Sequence, residues 1–236
     1  MKQTVVRKSM IGYMIESLIY ICIAAAAGAL FLTAVYCLPV DKIKENVQKS
    51  AEFYEKDQYS IFWAPGQFST YLDIYTDALM QNEAVVGTSQ SPLKEAMSNR
   101  NVSECDGIGD PLRAAIAYDG SQDAVINSYG RYWHGYLLWL KPALMVTSMS
   151  GIRMLNMLFQ FILTSVVLLA VYRKLGIKGV VPFGLAVFLI NPVSTALCIQ
   201  YASMYYITLF FALLLLSADR YQGERYWKLF LWMGIF

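Results

Sequence analysis

The stretch SLIYICIAAAAGALFLTAVYCL, from Ser17 to Leu38, decides the class of this protein. It contains 22 residues without a charge, and a helix of that length rises about 33 Å, enough to cross the roughly 30 Å hydrocarbon core of a bilayer. Three basic residues precede it, Lys2, Arg7 and Lys8, and by the positive-inside rule they place the N-terminus in the cytoplasm. A cleaved signal peptide is the alternative, but the run is longer than a signal h-region and its small residues lie in its middle. The pattern therefore favours an uncleaved membrane anchor.

The composition of the whole chain agrees with this class. Of 236 residues, 57% are hydrophobic and 15% are charged, against about 25% charged residues in soluble domains. The net charge is +2 and the 19 Lys and Arg residues are dispersed, so no nucleic-acid partner is expected. The four cysteines form no CxxC pair, and neither a disulfide framework nor a zinc site is indicated. The sequence also lacks the Gly-rich phosphate loops, GxSxG and HExxH of common soluble enzymes.

Further spans follow from the distribution of charge. The uncharged run from Met154 to Tyr172 ends in a basic cluster at 173–178, which belongs in the cytoplasm. The hydrophobic stretch 180–217 must then go out and back, with a turn near Asn191 and Pro192. A last apolar run at the end of the chain is too short to cross a bilayer, so we expect the natural sequence to continue.

The predicted fold is an all-α polytopic membrane protein, a multi-span helical bundle with a mostly helical extracytoplasmic first loop. We predict a multi-pass cell-membrane location with a cytoplasmic N-terminus and residues 39–151 outside. The predicted segments are a cytoplasmic N-terminus at 1–16, a first span at 17–38, an extracytoplasmic loop domain at 39–136, an interfacial or re-entrant helix at 137–151, a second span at 152–172, a cytoplasmic loop at 173–179, a third span at 180–197, a fourth span at 200–217, a cytoplasmic loop at 218–228 and the start of a fifth span at 229–236.

The outer loop has the composition of a small folded domain. Residues 41–56 carry apolar side chains at helical spacing and predict an amphipathic helix. Residues 87–111 are rich in Ser, Asn, Gly and Pro and predict a loosely structured insertion. Between them, Asp73 and Asp77 lie one helical turn apart, so a helix would place both carboxylates on one face. They are candidate functional groups, or Asp73 caps a helix, or both are simply solvated.

The segment 129–142 combines aromatic and basic residues, with four aromatic rings among its first eight residues. An aromatic belt at the membrane interface explains the rings. It does not explain the cations Arg131, His134 and Lys141 on the outer side, where they would be well placed to hold a phosphate or pyrophosphate head group. Both interpretations stay open.

This order of segments resembles that of polytopic GT-C glycosyltransferases, which take sugars from polyprenyl-phosphate donors. The likeness covers the whole chain in outline. It extends to the segments Thr76–Met80 and Tyr129–Tyr136, which look similar to segments in bacterial proteins of that type. The chain departs from some GT-C families because its two carboxylates are four residues apart rather than adjacent, so the catalytic residue is not assigned uniquely.

The resemblance implies a lipid-phosphate sugar donor, a glycan or lipid acceptor, membrane lipids as partners and no nucleic acid. It implies Asp77 or Asp73 as general base, and Arg131, His134 and Lys141 as phosphate ligands. His134 could act instead as a neutral hydrogen-bond donor. No cofactor is expected, although a divalent cation is compatible with this chemistry, and a single histidine argues against a His-based metal site. Further residues that would bind substrate or border the acceptor are Tyr132, Gln160, Gln200, Tyr201 and Tyr205, and those in the spans would equally serve as polar contacts between helices.

Two other classes of function compete with this hypothesis. The first is a transporter or flippase of polysaccharide export. Such proteins carry ionisable residues at mid-membrane depth, whereas Glu16 and Arg153 lie at the ends of their apolar runs. The second is a membrane-anchored assembly or binding protein whose outer loop is a docking domain.

Overall fold

The computed structural model describes residues 9–52, 60–86, 91–132 and 134–217. Its helices in chain order are α1 (Met10–Tyr36), α2 (Val40–Ala51), α3 (Ile74–Val85), α4 (Pro92–Ser98), α5 (Pro111–Ala117), α6 (Leu137–Val146), α7 (Met149–Leu175), α8 (Ile177–Leu189), α9 (Pro192–Leu197) and α10 (Ile199–Leu216). Its strands are β1 (Ser60–Phe62), β2 (Tyr71–Asp73), β3 (Arg100–Cys105) and β4 (Ala124–Ser128).

Among the described residues, three helices are long and apolar enough to cross a membrane. They are α1 and α7, with 27 residues each, and α10, with 18. These helices support the prediction of a helical membrane protein. They correspond in sequence to the predicted first, second and fourth spans.

The predicted third span, 180–197, is two helices rather than one. α8 has 13 residues and rises about 20 Å, which is too short to cross a bilayer alone. It ends because Asn191 adopts a left-handed backbone conformation, with φ of 55°, and Pro192 then begins α9. Proline has no N–H to donate to the preceding turn and favours the first position of a new helix. The turn expected near Asn191 and Pro192 is therefore present.

The spans and the loop share one hydrophobic core. The loop domain is buried together with the C-terminal end of α1 (Leu32 and Tyr36), the start of α7 (Met149 and Ile152) and the start of α10 (Ile199). The C-terminal end of α1 and the N-terminal ends of α7 and α10 therefore lie at the same end of the helical bundle, where the loop domain covers them.

The loop domain contains α2 to α6 and two small antiparallel sheets, β1–β2 and β3–β4. α2 buries Ile43, Val47 and Ala51, as expected of the predicted amphipathic helix. The loose insertion predicted at 87–111 is wrong for its described part, because residues 91–111 include α4 and β3. Pro92 starts α4, and Asn99 ends it in a left-handed conformation, so the Pro and Asn residues of this segment cap ordered elements.

The predicted interfacial segment, 137–151, divides between α6 and the first turn of α7. α6 buries Leu137, Leu140 and Leu144 at helical spacing. With 10 residues it rises about 15 Å, too little for a span. α6 therefore packs as part of the loop domain.

Candidate functional site

Asp77 lies in the first turn of α3 and its side chain is completely buried. Its Oδ2 accepts a hydrogen bond from Arg153 Nη2 of α7 at 2.8 Å. Its Oδ1 accepts another from the backbone N–H of Ile199, the first residue of α10, at 2.9 Å. Burial raises the pKa of Asp77, while the charge of Arg153 and these hydrogen bonds oppose that shift. Asp77 therefore joins the loop domain to the ends of two spans, and it does not face an open site.

Asp73 precedes α3 and is half-buried. Its Oδ1 accepts a hydrogen bond from the Thr76 backbone N–H at 3.1 Å, which confirms the alternative that Asp73 caps a helix. Its Oδ2 accepts hydrogen bonds from Thr76 Oγ1 and from Gln200 Nε2 of α10, each at 2.7 Å. A carboxylate has about four acceptor positions, so Asp73 keeps acceptor capacity on a side chain that solvent reaches.

The two carboxylates thus have different environments although one helical turn separates them. The Asp77 carboxylate is committed to Arg153 and Ile199. The Asp73 carboxylate is oriented by a cap and by Gln200 and remains reachable. Of the two predicted base candidates, the geometry favours Asp73 for contact with a substrate.

An apolar groove of about 620 Å³ lies between α8 and α10. Its walls are formed by Phe183, Ala186 and Val187 of α8 and by Met204, Thr208 and Leu209 of α10. The loop domain and the first turn of α10 line one end of the groove with Phe68, Tyr71 and Tyr201, and this end is called the mouth. From Tyr201 to Leu209 the groove follows α10 for about 12 Å, and its volume falls within the range of small-molecule sites.

The mouth of the groove lies next to Asp73. Tyr71 is two residues before Asp73 in β2, so their side chains point to the same face of the strand. Tyr201 follows Gln200, the residue that hydrogen-bonds Asp73. An apolar groove and a partly exposed carboxylate therefore meet where the loop domain contacts α10.

His134 belongs to a separate buried cluster. Its Nδ1 lies 3.3 Å from Glu83 Oε2 and its Nε2 lies 2.7 Å from the Tyr129 carbonyl oxygen. Tyr136 also donates its hydroxyl hydrogen to Glu83 Oε2. Burial disfavours the charged form of His134, but the hydrogen bond and charge of Glu83 outweigh it, and the pKa of His134 is raised. Glu83 is thus the immediate partner of the His134 cation.

Lys141 is completely buried and serves the same core. Its Nζ donates a hydrogen bond to the Ala84 carbonyl oxygen at 2.8 Å and lies 4.5 Å from the centre of the Tyr36 ring. Burial lowers the pKa of Lys141 to about 8. The structure therefore places His134 and Lys141 in the interior of the loop domain, and not in the open anion site predicted from the sequence.

Arg131 and Tyr132 are exposed and lie against one another. The Arg131 guanidinium carbon is 5.4 Å from the centre of the Tyr132 ring, and Tyr132 packs edge-on against Tyr129. Tyr129 also contacts His134, which reaches Glu83 near the C-terminal end of α3. Asp73 caps the other end of that helix. Ten residues of helix separate the two clusters by about 15 Å, so the structure does not bring the predicted cations and Asp73 together.

The polar residues of the spans are contacts between helices. Gln160 of α7 exchanges hydrogen bonds with Thr195 of α9, and Asn156 donates one to the Ala196 carbonyl oxygen. Tyr205 shares a hydrogen bond with Thr164 of α7 and also borders the groove. Gln200 and Tyr201 alone among the predicted span residues lie beside Asp73.

Arg153 and Glu83 are the site residues that the sequence-based reasoning did not assign. The sequence gives one indication for Arg153, because it is a cation at the end of α7 that is predicted to lie outside, where the positive-inside rule gives no reason for a cation. The sequence gives no indication of a role for Glu83, because its partners His134 and Tyr136 lie more than 50 residues further along the chain.

No family model, no curated protein and no solved structure matches this chain.

Proposed function

We propose that this chain is part of a membrane glycosyltransferase that transfers a sugar from a polyprenyl-phosphate donor to a glycan or lipid acceptor on the outer face of the membrane. The observation that carries the proposal is the half-buried carboxylate of Asp73 beside the mouth of the apolar groove between α8 and α10. A reaction on a lipid-linked substrate requires such a junction of apolar and polar surface.

The groove suits the hydrocarbon part of the donor. Its walls are apolar side chains of α8 and α10, and α10 is a candidate membrane span. An isoprenoid chain in this groove would pack against a lining that is mostly apolar. Its phosphate end would lie at the mouth, near Tyr71 and Tyr201.

Asp73 is the candidate general base. In the proposed step, the acceptor hydroxyl oxygen attacks the anomeric carbon of the sugar while the bond from that carbon to the phosphate oxygen breaks. The hydroxyl proton passes to Asp73, and the electron pair of the broken bond leaves with the lipid phosphate. General base catalysis of this kind contributes roughly 100- to 10,000-fold to a rate.

Gln200 and Asp77 are positioning residues in this scheme. Gln200 fixes the Asp73 carboxylate by a hydrogen bond of 2.7 Å. Asp77 holds the first turn of α10 through the Ile199 N–H, and that turn carries Gln200 and Tyr201. The N-terminal end of α10 also contributes partial positive charge where the phosphate would accumulate negative charge. His134 and Lys141 have no role in the scheme because they are buried elsewhere.

Transfer from a defined donor tests the proposal. Washed membranes from cells that express the protein are supplied with the same labelled sugar on a polyprenyl phosphate or on a nucleotide. We expect label to enter a membrane glycan or lipid from the polyprenyl-phosphate donor only, above membranes without the protein. Label that enters from the nucleotide sugar alone, or from neither donor across a panel of common sugars, would contradict the proposal.

A further inference from the structure

The hairpin from Ser60 to Leu72 is an uncharged segment of an otherwise polar loop. It contains 13 residues without Asp, Glu, Lys or Arg. β1 and β2 pair antiparallel, with Phe62 opposite Tyr71. A water-exposed hairpin tip of this length normally carries polar or charged side chains, so its composition calls for an explanation.

Three aromatic side chains of this hairpin are exposed. Phe68 is 86% exposed, and Phe62 and Trp63 are 40% and 45% exposed. The Phe68 ring stacks on Tyr71 with 6.4 Å between ring centres, which covers only one of its faces. Exposed apolar rings of this size that stand together mark an interaction surface.

The hairpin is fixed at the break between α8 and α9. The Ser69 carbonyl oxygen accepts hydrogen bonds from Asn191 Nδ2 at 2.8 Å and from Ser194 Oγ at 3.0 Å. Trp63 Nε1 donates another to Ser194 Oγ at 3.1 Å. The break joins helices that belong to the hydrophobic stretch of the chain, so the hairpin lies at the outer end of the membrane-embedded part.

Exposed apolar surface continues from the hairpin onto these helices. Leu189 at the end of α8 is 77% exposed, and Ile190 and Val193 beside Asn191 are also exposed. The exposed apolar surface of the hairpin is therefore continuous with that of α8, an apolar helix that packs on the candidate span α7. Because the two surfaces are continuous, the medium that contacts Leu189 also contacts Phe68. The partner of the hairpin is therefore the medium that surrounds α8.

We infer that the hairpin from Ser60 to Leu72 is seated in the outer leaflet of the bilayer, with Phe68 among the acyl chains and the Trp63 ring at the head-group level. Aromatic side chains with a polar N–H or O–H group prefer that interface. Phe68 and Tyr71 also border the groove. The mouth of the groove consequently opens within the leaflet, and an amphiphile can enter it without leaving the membrane.

Site-directed spin labelling measures the depth of Phe68 directly. Cys22 and Cys37 are exposed and are replaced by Ser, whereas the buried Cys105 and Cys198 are kept. A nitroxide is then attached at one added cysteine in the full protein in phosphatidylcholine bilayers. The three positions are Phe68→Cys on the hairpin, Leu189→Cys as the lipid-exposed reference and Ser121→Cys, in the exposed turn before β4, as the water-exposed reference.

Collision rates with dissolved oxygen and with a water-soluble nickel chelate report the environment of each label. We expect the ratio of oxygen to nickel collisions at position 68 to be within about twofold of that at 189 and several-fold above that at 121. A ratio at 68 equal to that at 121 would overturn the inference. Because Phe68 is exposed, its replacement does not remove a core contact, and an unchanged melting temperature verifies this. The measurement uses no sugar donor, so its outcome is independent of the proposed transferase activity.

Discussion

Removing one member of the buried pair of Asp77 and Arg153 should destabilise the fold strongly. The Asp77 side chain is fully buried and that of Arg153 is 19% exposed. Asp77→Asn keeps an oxygen for the Ile199 N–H but removes the negative charge that Arg153 Nη2 contacts at 2.8 Å. Removing one partner of a buried ion pair costs about 3–5 kcal/mol, and the partial exposure of Arg153 favours the lower end. A loss of about 3 kcal/mol corresponds to a melting temperature lower by about 6–12 °C for a chain of this length.

Thiol reactivity gives the assay. In a Cys22→Ser, Cys37→Ser background the remaining cysteines, Cys105 and Cys198, are buried, so a fluorogenic maleimide reacts only as the protein unfolds. Cys198 Sγ lies 3.8 Å from Asp77 Oδ1 and reports on the same contact. Melting curves of the detergent-solubilised protein are compared with and without Asp77→Asn.

Asp73→Asn is the matched control. Asn is as good a helix N-cap as Asp, but its NH2 group replaces the oxygen that accepts hydrogen bonds from Thr76 Oγ1 and Gln200 Nε2. This variant should therefore lose about 1 kcal/mol and melt about 2–4 °C below the parent, a smaller loss than that of Asp77→Asn. A double-mutant cycle with Arg153→Met separates the pair from its surroundings. The double variant should be less destabilised than the sum of Asp77→Asn and Arg153→Met. An Asp77→Asn melting temperature equal to that of Asp73→Asn, or additive losses in the cycle, would refute the assigned role of Asp77.

Three further outcomes follow from the other parts of the structure. Because Glu83 raises the pKa of His134, the stability that their pair adds is complete below the unfolded pKa of about 6.5 and is lost as the pH rises through the raised pKa. The melting-temperature advantage of the parent over Glu83→Gln should therefore shrink as the pH rises above about 6.5, and a constant advantage would contradict the pairing. Burial lowers the pKa of Lys141 to about 8, so the melting temperature of Lys141→Met at pH 7 should equal or exceed that of the parent. Sugar transfer should also be unchanged in this variant. A loss of activity would indicate that Lys141 binds the donor phosphate. Ala186→Trp should fill the groove and lower transfer from a long-chain donor at least tenfold. Leu185 is an exposed neighbour on α8, and Leu185→Trp should not lower transfer. Equal activities of the two variants would show that the groove takes no part in the reaction.

The membrane helices could be predicted because their signal is local. A run of 22 uncharged residues at Ser17–Leu38 has few alternatives to a span, and the amphipathic pattern of Ile43, Val47 and Ala51 is contained in one helix. The break at Asn191 and Pro192 was also readable, because proline and a left-handed Asn are local features. The length of α8 could not be predicted, because hydropathy alone does not show where a helix ends within an apolar run.

The arrangement of the charged groups could not be read from the sequence, because it depends on contacts between distant segments. The spacing of Asp73 and Asp77 correctly placed them one turn apart, but the partner of Asp77 lies 76 residues away. Likewise, His134 and Lys141 are residue types that bind anions, and the sequence therefore predicted a phosphate site. Their burial follows from the packing of α6 on α1, α2 and α3, which no local pattern records.

The proposed reaction depends on transfer of the acceptor proton to Asp73 at the mouth of the groove. It is tested most directly by the rate of sugar transfer from a polyprenyl-phosphate donor in membranes that carry Asp73→Asn, at matched expression and melting temperature. We predict a rate lower by about 100-fold or more for Asp73→Asn. Gln200→Ala removes the orienting hydrogen bond and should give a rate between that of Asp73→Asn and that of the parent. A rate for Asp73→Asn within a factor of about two of the parent would contradict it, since an amide cannot accept the proton as a carboxylate does.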